Sequence, residues 1–158
     1  MKIRKVQKSD NKHLADLIRA AFIEYDAPRQ GTVFSDPTTD NLYELFQNEK
    51  SVLWVAEKDG DVLGCCGIYP TVGLPKGCAE LVKFYLLAKA RGKGLGTVLM
   101  EQSIESAKEL GYSEIYIETL PEFDNAVGMY ERAGFEQLDK PLGDSGHTGC
   151  DIWMIKKL

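Results

Sequence analysis

The chain has 158 residues, 44% of them hydrophobic and 27% charged, enough for one domain with a real apolar core. A formal charge of −5 argues against general nucleic-acid binding, which needs a basic face, and no apolar run reaches the ~18–20 residues of a membrane span. The four cysteines, Cys65, Cys66, Cys78 and Cys150, contain no Cys-x-x-Cys pair, so buried thiols are expected rather than a disulfide or zinc framework, and no metal is expected.

Ile3 to Val6 reads as a first strand, and nothing ahead of it resembles the apolar segment of a secretory signal, so a cytoplasmic location is expected. Ser9 or Asp10 can cap a helix whose Leu14, Leu17, Ile18, Ala21 and Phe22 recur at helical spacing. It should end near Tyr25, because Pro28 biases Ala27 away from helical geometry. Next comes an irregular stretch, Ala27 to Phe34. Ser35 or Asp36 with Pro37 then predicts a second helix carrying Leu42, Tyr43, Leu45 and Phe46.

Ser51–Glu57 and Val62–Tyr69 read as strands joined by an Asp-Gly hairpin turn at Lys58–Asp61. After a loop from Pro70 to Gly77, Cys78–Leu87 is a further strand, and the glycine-rich turn Ala88–Thr97 leads into a helix from Thr97 to Leu110. Glu114–Leu120 is a strand, and Pro121 opens a helix that runs through Asn125, Ala126, Met129 and Tyr130 and stops at Ala133-Gly134. Gly134–Leu138 and Cys150–Lys156 close the chain as two strands around the loop Asp139–Gly149. With no repeat and no linker, residues 1–158 read as one α/β (α+β) domain. Its sheet is mixed and twisted, of about six to seven strands, with helices on both faces.

The turn Arg91-Gly92-Lys93-Gly94-Leu95-Gly96-Thr97 has the physics of an anion site. Glycines let a ligand approach the backbone, a helix N-terminus offers free N–H groups and a positive dipole end, and Arg91 and Lys93 add charge. The Walker A spacing is absent. The dinucleotide fingerprint fails at Leu99, although Glu118 stands where a ribose-binding acid would be expected.

The remaining pattern, Arg-x-x-Gly-x-Gly on Arg91, Gly94 and Gly96, resembles the pyrophosphate-binding motif of the GNAT (Gcn5-related N-acetyltransferase) superfamily. Downstream, Asn125 and Tyr130 on one helix before Gly134-Phe135 look like that superfamily's second signature, in the right order and separation. The resemblance covers nearly the whole chain and implies a GNAT acyl-CoA N-acyltransferase fold with acetyl-CoA as co-substrate. It implies that the backbone of Phe84, Tyr85 and Leu86 bonds the pantetheine like an added strand, which requires their own strand to bulge or splay near Leu87-Ala88. The pyrophosphate falls to the Arg91 neighbourhood and the amides of Gly92, Lys93, Gly94, Leu95, Gly96 and Thr97. Asn125 is assigned to the pantetheine arm, and Tyr130 to the thioester sulfur as an acid.

The implied activity is acetyl transfer to a primary amine of a small molecule, amino acid or peptide, with no nucleic acid or membrane partner and with a homodimer possible. A non-catalytic acyl-CoA sensor on the same fold is the alternative. Glu80 is the first candidate base. It lies 11 residues before Arg91, as does the catalytic glutamate of the histone-acetylating branch, and period-two alternation puts it on one face with Val82, Phe84 and Leu86. Glu118 and a water chain are the other candidates, and a plain salt-bridged carboxylate is the structural alternative for Glu80. Tyr130 could equally be a packed core tyrosine. His147 either faces the acceptor as a binding or proton-shuttling group or bonds loop backbone. Acceptor selection is expected from the first two helices and Ala27–Phe34, with Tyr25, Asp26, Arg29 and Tyr43 the polar residues there.

Overall fold

Period-two alternation in the middle of the chain becomes the spine of a seven-stranded sheet in the computed structural model, which describes residues 1–158. The strands are β1 (Lys2–Lys5), β2 (Val52–Lys58), β3 (Asp61–Tyr69), β4 (Cys78–Leu86), β5 (Glu114–Thr119), β6 (Glu136–Leu138) and β7 (Ile152–Lys157), in spatial order β1-β2-β3-β4-β5-β7-β6. Every neighbouring pair is antiparallel except β4 and β5, which are parallel and joined by the crossover helix α3 (Leu95–Glu109). The architecture is that expected from the sequence.

Two cores flank the sheet. On one face α3 buries Leu95, Leu99, Met100 and Ala107 against Ala56, Ile68, Ala79 and Leu81, and α4 (Asp124–Arg132) adds Tyr130 to the same cluster. On the other face α1 (Asn11–Glu24) lays Leu14, Leu17, Ile18 and Phe22 over Leu53, Val55 and Cys65. Vicinal Cys66 and Cys65 therefore fall into opposite cores, as strand geometry requires, and all four thiols are free.

The second helix is shorter than its sequence suggests. Asp36 caps as expected, accepting from the Thr38 amide at 2.9 Å, but the residues beyond it form a 3-10 turn, Pro37–Asp40, then a break at Asn41 and a single helical turn, α2 (Leu42–Leu45). Polar groups of this segment bond elsewhere: Thr39 Oγ1 donates to the Val33 carbonyl at 2.7 Å, and the Tyr43 backbone amide donates to the Asn11 side-chain Oδ1 at 2.8 Å. Such competition from polar side chains is what stops the helix from propagating. Smaller shifts occur at the ends: α3 begins at Leu95 rather than Thr97, and the closing strands begin two residues later than expected.

Candidate active site

β4 and β5 stay together for three residues only, with Cys78 opposite Glu114, Ala79 opposite Ile115 and Glu80 opposite Tyr116. Beyond Glu80, β5 continues with β7, while β4 keeps its register with β3 as far as Leu86 opposite Gly64. The edge of β4 from Val82 to Leu86 is thus left without a strand neighbour on the β5 side. A passage opens in the wedge.

The bulge expected near Leu87-Ala88 is instead at Lys83. Val82 pairs with Gly67 and Tyr85 with Cys65, so two residues of β4 oppose Cys66 alone, and Lys83 takes a left-handed φ of 56°. That conformation costs a side-chain-bearing residue about 1–2 kcal/mol. The extra residue also corrects the expected face. Val82 and Tyr85 pack toward the α1 core, whereas Phe84 and Leu86 pack toward the α3 core, so Glu80 shares a face with Val82 but not with Phe84 or Leu86.

On the α3 side of the wedge lies an open groove of about 450 Å³, lined by Phe84, Tyr85, Leu86, Arg91, Gly92, Gly94, Gly96, Thr97 and Asn125, with Tyr25 and Arg132 at its sides. Every amide from Gly92 to Thr97 lacks an acceptor within the chain. Gly94 provides the left-handed turn (φ 81°) that starts α3. At Gly96 a Cβ would come within 3.2 Å of both Leu86 Cδ1 and Met129 Cε, so glycine keeps the helix close to β4. Asn125 is exposed on the groove wall and its side chain makes no hydrogen bond. Arg91 lines the groove but its guanidinium turns inward: it donates to the Leu86 carbonyl at 2.9 Å, pairs with Glu24 and lies 4.9 Å from the Tyr25 ring centre. Leu95 and Lys93 do not line the groove. The Leu95 side chain is buried in the core and Lys93 Nζ donates to the Lys89 carbonyl at 3.1 Å, leaving their amides as their contribution.

The groove narrows to a throat of about 80 Å³ where Phe84, Tyr85, Phe123 and Ala126 meet Glu80, Val82, Lys83 and His147. The same Glu80, Val82, Lys83 and His147 form the floor of an outer pocket of about 200 Å³, closed by Asp36, Thr38, Thr71 and Ser145. The pocket walls are loops tied to one another. The Asp144 amide donates to the Val72 carbonyl and the Gly149 amide to the Gly31 carbonyl, each at 2.7 Å, so the 139–149 connection is fastened to both neighbouring loops. Groove and throat share Phe84, Tyr85, Phe123 and Ala126 as walls, and throat and pocket share Glu80, Val82, Lys83 and His147, so the three adjoin in series along the passage.

Burial is the main influence on Glu80, which is 4% exposed; with the nearby Glu118 charge it outweighs the bond from Thr71 Oγ1 and lifts the carboxyl to about 7. Burial acts on Asp36 in the same direction. There, bonds from His147 Nε2 at 2.7 Å and from Thr38 prevail and hold the acid at about 2. Glu118 spends both oxygens, one on Tyr116 Oη at 2.8 Å and the other on Ser145 Oγ. Tyr130 packs as a core tyrosine and also lines the throat. Its ring packs between Phe84 and Phe135, with centroids at 6.0 and 5.9 Å, and its residue lines the throat with the hydroxyl taking no partner. Burial raises its phenol well above the ordinary range, so it stays protonated. The Cys150 thiol, also in the throat, is raised by burial and by Glu118 to about 12.

His147 bonds the Asp36 side chain rather than loop backbone, and it lines both throat and pocket. The residues expected around Ala27–Phe34 are mostly engaged elsewhere: Arg29 lies 5.3 Å from the Phe34 ring centre, and Tyr43 is absent from the walls, although Val33 reaches the throat. Lys83, Asp36 and Thr71 are among the pocket residues to which the sequence assigned no part in a site. Of these only Lys83 carried a local sign, a lysine in the middle of an otherwise apolar strand.

The Acetyltransferase (GNAT) family matches residues 14–135 of the chain. YjgM of Escherichia coli K12, named an uncharacterized N-acetyltransferase, is 36% identical over 157 residues, spanning 99% of this chain and 94% of its own length. Among solved structures, an acetyltransferase of the GNAT family from Staphylococcus aureus Mu50 superposes with a TM-score of 0.85 at 20% identity, covering 99% of this chain and 98% of that one. A phosphinothricin acetyltransferase from Sinorhizobium meliloti, in complex with acetyl-CoA, gives 0.78 at 15% identity, with 99% and 88% covered. At those identities the structural likenesses speak for the fold.

Proposed function

The chain belongs to the acetyltransferase (GNAT) family, and from that premise we propose that it moves the acetyl group of acetyl-CoA onto the primary amine of a small molecule, amino acid or peptide by direct attack on the thioester. The observation that carries this reading is the passage itself. A groove rich in unbonded amides and a polar pocket meet at one throat beside the free edge of β4, with a carboxyl of suitable basicity on the pocket side.

In this reading the amides of Gly92–Thr97 and the dipole of α3 hold the pyrophosphate, and the β4 edge at Phe84–Leu86 bonds the pantetheine as a neighbouring strand would. Asn125 bonds the same arm from α4. Glu80, at about 7, is substantially ionised at neutral pH and takes a proton from the amine, whose ordinary pKa of ~10.4 otherwise keeps it protonated. The nitrogen lone pair then forms the C–N bond while a backbone amide near Leu86 stabilises the oxyanion. As the C–S bond breaks, Tyr130 donates a hydrogen bond or proton to the leaving sulfur, and the second proton shed by the acylated nitrogen passes through solvent and restores the phenol. A route through an acetylated Cys150 is disfavoured, since a thiol at about 12 supplies almost no thiolate.

Release of free thiol from acetyl-CoA across a panel of amines tests the proposal. Amine-dependent release with matching acetylated product is the expected result. Coenzyme A binding without release on any amine would favour the sensor, and no binding would remove both readings.

A further inference from the structure

Lys83 is the odd member of the outer pocket. It is 6% exposed, lines throat and pocket together, and its ammonium has neither a hydrogen bond nor a carboxylate within ion-pair distance. The acids around it are already satisfied. Asp36 is bonded by His147 and Thr38, Glu80 by Thr71, and Glu118 by Tyr116 and Ser145. The bulge is what brings this cation to the passage, through a backbone conformation that lysine adopts only at a cost. A largely desolvated ammonium without a protein partner is unfavourable, and burial correspondingly lowers the Lys83 pKa. An anion delivered by the ligand would remove that penalty.

Resting on the acetyltransferase reading, we propose that the acceptor is a free amino acid, its amine directed to Glu80 and its carboxylate bound by Lys83. Both residues come from one strand, three positions apart, and face the same small space, so one compact zwitterion meets both. The pocket, at about 200 Å³, is smaller than the sites that take drug-sized ligands, which fits a single amino acid. A charge-assisted bond in a desolvated pocket also discriminates strongly. A ligand lacking the carboxylate leaves the cation unpaired, whereas one bearing it relieves the cost.

The test compares matched acceptors, each free amino acid against its own primary carboxamide. Two measurements are made: kcat/KM with acetyl-CoA, and calorimetric binding of the same pair to the protein saturated with coenzyme A. In the wild type the best amino acid should exceed its amide by about 10-fold to 100-fold in both measurements. In Lys83→Met the ratio should fall to about twofold or less. Equal treatment of acid and amide by the wild type, or a preference that survives Lys83→Met, overturns the proposal. So does acetylation of Lys83 itself, seen as an acetyl mass increment on its peptide. If the carboxylate preference appears in binding but no amine is ever acetylated, the Lys83 site stands and the transferase reading fails, which separates the two.

Discussion

At the groove end of the passage the groups offered to a ligand are backbone amides from one unbroken stretch, Gly92–Thr97, whereas at the outer end they are side chains drawn from β4, the loop holding Thr71, the turn holding Asp36 and the 139–149 connection. The first kind of site depends on a local run of conformations, so substitutions act by deforming the turn. The second depends on loops holding one another in place, and its chemistry depends on burial. A backbone-built end suits a part of the ligand that never changes. The side-chain-built end can be altered residue by residue without touching the fold, and specificity belongs there.

The sharpest way to separate the two ends is Glu80→Gln. It should lower kcat/KM by about 10²–10³-fold and abolish the rise in rate through about pH 7, while coenzyme A affinity measured by calorimetry stays within about twofold. Loss of coenzyme affinity would mean that the two ends are not independent.

The same variant has a second signature. Glu80 has a folded-state pKa of about 7 against an ordinary 4.5. Between those values the unfolded chain has released the proton and the folded chain still holds it, so wild-type stability falls as pH rises through that window, by about 3 kcal/mol, and levels off above it. Chemical denaturation at pH 5 and pH 8 should show this loss in the wild type and not in Glu80→Gln. Identical pH trends would mean that the carboxyl is not desolvated.

At the groove end, Gly94→Val forces a β-branched residue into a left-handed turn with open space around it, so only the backbone should suffer. Coenzyme A should bind about tenfold more weakly, with the pH dependence of turnover retained. An effect of similar size is expected at the boundary. Tyr130→Phe keeps the packing against Phe84 and Phe135 and removes only the hydroxyl, so kcat should drop about tenfold with KM nearly unchanged. A stable variant with full kcat would leave Tyr130 as packing alone.

The contrast also explains what could be read from the chain. The groove was legible because its parts are adjacent in sequence: Arg91, Gly94 and Gly96 announce a turn, and Asn125 and Tyr130 sit on one helix. The succession of elements along the chain followed from hydrophobic alternation and turn residues. The pocket was only half legible. Glu80 stood out as an acid in an apolar strand, but Asp36, Thr71 and His147 converge through loop-to-loop bonds between segments far apart in sequence, and no local pattern encodes those. The face of Phe84 and Leu86 was misread for a related reason. Strict alternation assumes an unbroken ladder, and nothing in Leu-Val-Lys-Phe-Tyr signals that Lys83 leaves it.

That one departure has a consequence for the whole reaction path. A strand is a device with two phases, and β4 stays paired with β3 on both sides of the interruption while its register shifts by one residue and one phase is exchanged for the other midway. In the proposed reading its first half presents Glu80 to the acceptor, and its second half presents a free edge to the thioester carrier. Removing residue 83 would heal the ladder and bring the halves back into step. The strand would pair more regularly and could no longer address two molecules approaching from opposite sides.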